Sequence, residues 1–258
     1  MRELTGIEDV VAASDDDDLI VWAAQGMKPG VRAWAYGDAV AVAGPQIARG
    51  DRLAIRGGAA HAIPLVRHAL AEVGPSFRPF GDADVVREVT QKIEKIHFSA
   101  NFSWMVTRKP PEPYALGPPA REPSAREPYE RAGWLDGDDE PGVADLLTTA
   151  HPDSYAVPGL AGVHRWAGIR GSGGELLAVA ADAWSAPGVG LIAGVATAVR
   201  ARRRGLGERV CRFVTEALLA EHGRAALMVD DWNDTAIGVY ERLGFARRRV
   251  ASSRVVTD

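Results

Sequence analysis

Between Arg108 and Pro128 the chain reads RKPPEPYALGPPAREPSAREP, and seven of its sixteen prolines lie there. Proline fixes φ and donates no backbone hydrogen bond. A run this dense therefore suits neither a helix interior nor a central strand. The tetrapeptide AREP occurs in it twice, at 120–123 and 125–128. A ligand for a proline-binding partner is one reading, and a semi-rigid linker is the simpler one. With a linker at 108–128, the rest divides into residues 1–107 and 129–258, each of ordinary domain length.

In the later part, DEPGVADLLTTAH (139–151) predicts a helix with an acidic first turn and an early proline. VHRWAGIR and ELLAVAADAW predict two strands around a turn at GSGG (171–174). After the turn APGVG comes the apolar run LIAGVATAV (191–199). Leu206, Val210, Phe213, Val214, Ala217 and Leu218 then repeat at helical spacing up to Gly223. AALMV (225–229) predicts a buried strand, NDTAIGVYERLGF (233–245) a helix ending at Gly244, and RRVASSRVV a last strand.

The earlier part echoes this order. SDDDDLIVWAAQG (14–26) predicts a helix capped by Ser14, with its aspartates at the positive dipole end. That explains the four aspartates better than metal ligation does. VRAWAYGDAVAVAGP predicts a hairpin at Gly37-Asp38. The stretch from Asp51 onward aligns with the later part at an offset of about 149 residues. Ala71-Glu72 meets Ala220-Glu221, Gly74 meets Gly223, Asp82 meets Asp231 and Asp84 meets Asn233. The expectation is a degenerate internal duplication.

Composition sets the outer limits. A net charge of -4 with 47% hydrophobic and 25% charged residues predicts a soluble globular protein and disfavours nucleic acid as a partner. The single cysteine, Cys211, allows no intrachain disulfide and reads as a packing residue. No stretch approaches the ~18 apolar residues of a membrane span, and the N-terminus lacks a signal-peptide core. A reducing, cytoplasmic setting is expected by default.

The chemistry concentrates in RARRRGLGERV. Six arginines and one acid, Glu208, fall between Arg200 and Arg212. Gly205 and Gly207 permit a tight turn with open N–H groups at a strand-to-helix junction, and the helix places its positive end there. Arginines add fixed charge and forked donors. The combination suits a diphosphate. A Walker loop is excluded because no lysine follows the glycines, and the dinucleotide fingerprint because Val210 replaces its third glycine. There is no zinc-spaced Cys/His cluster and no G-x-S-x-G elbow.

Arg202-x-x-Gly205-x-Gly207 resembles the [QR]-x-x-G-x-[GA] signature of the GNAT (GCN5-related N-acetyltransferase) superfamily. VAT (195–197) lies upstream, and LMV (227–229), Asn233, Ala236, Tyr240 and LGF (243–245) follow, similar to the family's second signature. The resemblance covers roughly residues 129–250. It implies an α/β fold in two GNAT-like domains, each a mostly antiparallel sheet with a splayed parallel strand pair, flanked by helices. The domains would be 1–107, lacking the cofactor motif, and 129–258, the acyltransferase.

The resemblance also implies roles. Val195, Ala196 and Thr197 would pair with the pantetheine of acetyl-CoA or another acyl-CoA. Arg202, Arg203, Arg204, Gly205, Leu206, Gly207 and Glu208 would hold its pyrophosphate. Asn233 would bond the cofactor or order water, and Tyr240 would protonate the CoA thiolate. The acceptor would be a small-molecule or peptide amine, without metal, nucleic acid or membrane, and a homodimer is compatible with this. The general base stays open among Asp182, Asp230, Asp231, His151 and Tyr155, since LIAGVATAV holds no acid. At the 149 offset Leu53 replaces Arg202, Arg56 replaces Gly205, Gln91 replaces Tyr240, and Gly58 alone retains Gly207. No acyl-CoA binding is expected in the earlier part. The rival readings are a non-catalytic acyl-CoA sensor and a nucleic-acid binder using the arginines.

Overall fold

The computed structural model describes residues 1–112 and 131–256, so the proline-rich segment from 113 to 128 lies outside the described residues. The chain opens with β1 (Arg2–Leu4), α1 (Ile7–Ala13) and α2 (Asp18–Ala24), followed by β2 (Arg32–Tyr36), β3 (Ala39–Gly44) and β4 (Arg52–Arg56). Then come α3 (Ala59–Val73), β5 (Arg78–Asp82), α4 (Ala83–Lys92) and β6 (Ile96–Thr107). The later part runs β7 (Gly133–Trp134), α5 (Glu140–Ala150), β8 (Val163–Arg170), β9 (Leu176–Ala183), β10 (Gly190–Thr197), α6 (Leu206–His222), β11 (Ala225–Asp230), α7 (Asp234–Arg242) and β12 (Ala246–Val255). The order strand, helical segment, three strands, helix, strand, helix, strand occurs twice.

The two parts do not form two sheets. All twelve strands among the described residues join one mixed sheet, in the order β1-β2-β3-β4-β5-β12-β6-β11-β10-β9-β8-β7. Near the middle the parts exchange strands. β6 pairs antiparallel with β11 from Phe102↔Asp230 to Thr107↔Ala225. β12 pairs antiparallel with β5 at Ser252↔Phe80 through Val250↔Asp82. β6 and β12 pair with each other from Ile96↔Val255 to Val106↔Ala246. The expected boundary after residue 107 thus follows a strand whose two neighbours both come from the later part.

Local chemistry explains the elements. On α6, Leu206, Val210, Cys211, Val214 and Leu218 are buried at helical spacing. The helix stops at Gly223, whose φ of 77° suits a residue without Cβ. The helix expected at 14–26 is two helices. Ser14 is the C-cap of α1 rather than an N-cap, and Asp15 and Asp16 turn the chain at φ 54° and 53°. Asp17 caps α2, accepting from the N–H groups of Leu19 and Ile20, each at 3.1 Å. Asp16 and Asp18 both pair with Arg108 and Arg224. Of the four acids in a row, Asp17 serves as the cap and Asp16 and Asp18 join an arginine network.

Register shows which face each side chain takes. Asp182 stands opposite Ile192 and reaches toward Glu221 and His222 at the end of α6. Trp166, in register with Ala181, lies on the other face, against Ala156 of the segment after α5. So α5 and α6 cover opposite faces of the sheet. Leu227 pairs with Ile192, which puts its neighbour Met228 on the α5 face. Trp104, opposite Met228, shares that face and packs on Trp22 of α2, ring centroids 5.4 Å apart. Trp22 donates to the Trp184 carbonyl at 2.8 Å. One apolar core therefore runs from α2 to α5. Among the described residues no helix is long and apolar enough to cross a membrane.

Candidate functional site

The later part opens its sheet at one place. β10 and β11 are parallel and pair only at Gly190↔Ala225, Leu191↔Ala226 and Ile192↔Leu227. Beyond Ile192 the two strands no longer pair. On its other side β10 breaks register with β9 between Ala193 and Ala196, then resumes at Ala196↔Val179 and Thr197↔Ala178. Gly194 lies inside this bulge at φ 61°, and a Cβ there would stand 2.5 Å from the Trp166 ring. Both conformation and space demand glycine. Val195, Ala196 and Thr197 thus border a gap on the β11 side.

Gly194→Ala should lower stability by about 2 kcal/mol, the combined cost of left-handed backbone and overpacking. Urea denaturation measures it, and an unchanged midpoint would contradict this reading of the bulge.

The strand-to-helix junction lies just past the gap. Arg203 sits at φ 65° and Gly205, the N-cap of α6, at φ 74° with nothing within 4 Å of a Cβ built on it. Gly207 packs closely, and a Cβ there would be 3.0 Å from Thr197 Oγ1. Leu206 is buried beneath the turn, and Arg202, Arg203 and Arg204 are exposed. Arg202 is also a brace. Its guanidinium donates to the carbonyls of Thr197 at 3.4 Å and Ala150 at 3.1 Å, tying the end of β10 to the end of α5. Glu208 accepts from Arg242 at 2.9 and 3.1 Å and fastens α6 to α7.

Asn233 is the N-cap of α7, and its side chain accepts from the Ala236 N–H at 3.1 Å. Tyr240 is buried on the same helix, with its ring 6.1 Å from that of Phe245. Burial, with a smaller contribution from nearby Cys211, pushes the Tyr240 hydroxyl well above its ordinary value. Cys211 is itself buried, and that burial pushes its thiol up to about 12, a packing residue rather than a nucleophile.

The carboxylates separate clearly. Asp182 is buried at the start of the β10 pairing, where Arg165 Nε donates to it at 3.1 Å and Ser185 Oγ at 2.5 Å. Its neighbours are at the C-terminal end of α6, opposite the junction. Asp231 accepts from Ser103 at 2.6 Å, Arg247 at 3.1 Å and Arg249 at 3.3 Å. Burial works against its charge, but these hydrogen bonds outweigh it and hold its carboxyl below the usual range. Asp230 is exposed at the end of β11, opposite Phe102 and hence on the α5 face beside the gap. His151 caps the end of α5, and Tyr155 is 56% exposed in the loop that follows.

The corresponding place in the earlier part is closed. β4 and β5 pair without interruption from Arg52↔Arg78 to Ile55↔Gly81. β3 and β4 show no break. By position at its helix start, Gly58 matches Gly205 rather than Gly207, because the two turns differ in length. Its N–H is taken by the Asp38 carboxylate at 2.9 Å, which also bonds His61 Nδ1 at 2.6 Å. Nearby, Asp17 is gripped by Arg56 and Arg248. An internal anion fills the helix start that the later part leaves open.

Comparison with known proteins agrees with this geometry. The family model described as FR47-like protein matches residues 167–255. A GCN5-related N-acetyltransferase from Kribbella flavida superposes with TM-score 0.58 at 17% identity, covering 93% of this chain and 96% of its own. One from Sphaerobacter thermophilus gives 0.52 at 15%, covering 84% and 76%. A GCN5-related N-acetyltransferase-like protein from Streptococcus suis gives 0.52 at 12%, covering 96% and 97%. At these identities the likeness is one of fold. No curated protein matches the chain. Residues 167–255 are thus similar to FR47-like proteins, and almost the whole chain shares the fold of GCN5-related N-acetyltransferases.

Proposed function

We propose that the protein is an acyl-CoA-dependent N-acyltransferase, with acetyl-CoA as cosubstrate and a primary amine as acceptor. The observation that carries this reading is the gap between β10 and β11 beyond Ile192↔Leu227, with the glycine bulge at Gly194 behind it. A gap with free strand edge suits an amide-bearing arm, and the open helix start at Gly205 suits a diphosphate. When bound, acetyl-CoA supplies an acyl group on a thioester. Val195, Ala196 and Thr197 hold its arm, and the turn from Arg202 to Glu208 holds its pyrophosphate. Asn233 orders the polar groups at the start of α7.

The attacking amine must shed a proton, and the departing sulfur must gain one. Asp230 suits the first task, being exposed on the α5 face at the end of β11. Asp182 is already engaged by Arg165 and Ser185 at the far end of the strand. Tyr240 suits the second, since its raised pKa keeps it protonated. The two parts represent a tandem duplication in which only the later copy holds the cosubstrate. Calorimetry with acetyl-CoA tests the reading: one site per chain is expected, and no measurable heat would overturn it.

A further inference from the structure

The seam between the two parts carries arginines that lack carboxylate partners. Arg52, at the start of β4, donates to the carbonyls of Ile47 at 3.4 Å and Ala48 at 2.9 Å. Arg78 stands opposite it in the β4–β5 pairing, and the Tyr155 hydroxyl interacts with it. Arg49, from the turn before β4, donates to the Ser154 carbonyl at 3.4 Å. Asp51, whose charge also acts on Arg52, accepts from the backbone and side chain of Gln46 at 3.0 and 3.2 Å. Among the described residues no carboxylate is hydrogen-bonded to Arg49, Arg52 or Arg78. Burial lowers the pKa of Arg52, with Tyr155 acting the other way. Arg49 and Arg78 are exposed and the nearby Asp51 is bonded to Gln46, so the three guanidinium groups have donors to offer a further anion.

Their place matters as much as their charge. Ala156, the next residue after Tyr155, lies 3.2 Å from where a Gly194 side chain would begin. Chain geometry then puts the Tyr155 hydroxyl, beside Arg52, at most roughly 15 Å from the break in β10. It stands on the α5 face, where Asp230 also points.

We infer that the amine acceptor carries an anionic group, carboxylate or phosphate, which docks on Arg49, Arg52 and Arg78 beside Tyr155. The earlier part thereby selects the substrate of the later part. This rests on the N-acyltransferase reading above.

The test measures acetyl transfer to matched pairs: 6-aminohexanoate against hexylamine, triglycine against its C-terminal amide, and phosphoethanolamine against ethanolamine. The anionic member of a pair should be favoured about tenfold or more in kcat/KM. The carboxylate and phosphate arms identify which anion is taken. Arg78→Gln should collapse the preference toward one through KM rather than kcat, and Arg78→Lys should restore part of it. A merely structural role would not distinguish the members of a pair. Equal kcat/KM across every pair, or transfer to no member of any pair, overturns the inference. Failure of acetyl-CoA to bind in calorimetry sinks the acyltransferase reading instead.

Discussion

Tyr240→Phe should lower kcat by about a hundredfold, the usual scale for losing a positioned general acid. Acetyl-CoA affinity should change little, because the substitution removes one oxygen and keeps the ring on Phe245 and the surrounding core. The pH dependence sharpens the test. A tyrosine donates while protonated, and burial moves this one above its ordinary value. The sign is therefore upward: the donor form persists through about pH 10, where an ordinary tyrosine would be half ionised. Wild-type kcat should show no alkaline decline from this group below that pH. Unchanged turnover in the phenylalanine variant would remove Tyr240 from the reaction.

The second large effect concerns assembly. Residues 129–258 expressed alone contain the whole FR47-like match, yet they lack β6. In the fragment β11 keeps only its short pairing with β10, and β12 loses both its neighbours, β6 and β5. Trp104 and Met105 of β6, each 1% exposed or less, leave the core with it. Removing such side chains costs about 2–5 kcal/mol each, against a typical domain stability of about 5–15 kcal/mol. The fragment should show no cooperative thermal transition, and co-expression with residues 1–112 should restore one. A fragment that melts cooperatively by itself would show that the strand exchange is dispensable.

The sequence made some of this legible and hid the rest for physical reasons. The junction Arg202–Glu208, the helix ending at Gly223 and the cap at Asn233 depend on short-range chemistry, and each lies where its residues predicted. The bulge at Gly194 went unread: LIAGVATAV holds a lone glycine, but only the register with β9 shows its effect. Ser14 misled because a serine before acids and apolar residues fits an N-cap, yet Asp17, three residues on, offers the better-placed carboxylate. Asp182 read as a free strand acid, since nothing in the sequence reveals that Arg165 and Ser185 reach it. The exchange of β6 and β12 was beyond reach. Alternation along Phe102, Trp104 and Val106 marks a strand, but pairing partners more than a hundred residues away leave no local trace.

That exchange sets the order in which the molecule can be made. A ribosome releases the chain from its N-terminus, and separate domains ordinarily fold as they emerge. Here β6 emerges with both edges bare, and its two partners, β11 and β12, follow only after more than a hundred further residues. β5 likewise waits for β12. Until β11 and β12 emerge the nascent chain exposes strand edges that only they can cover, the feature that makes strands prone to mispairing between chains. Both parts reach their final form together, once β12 has emerged.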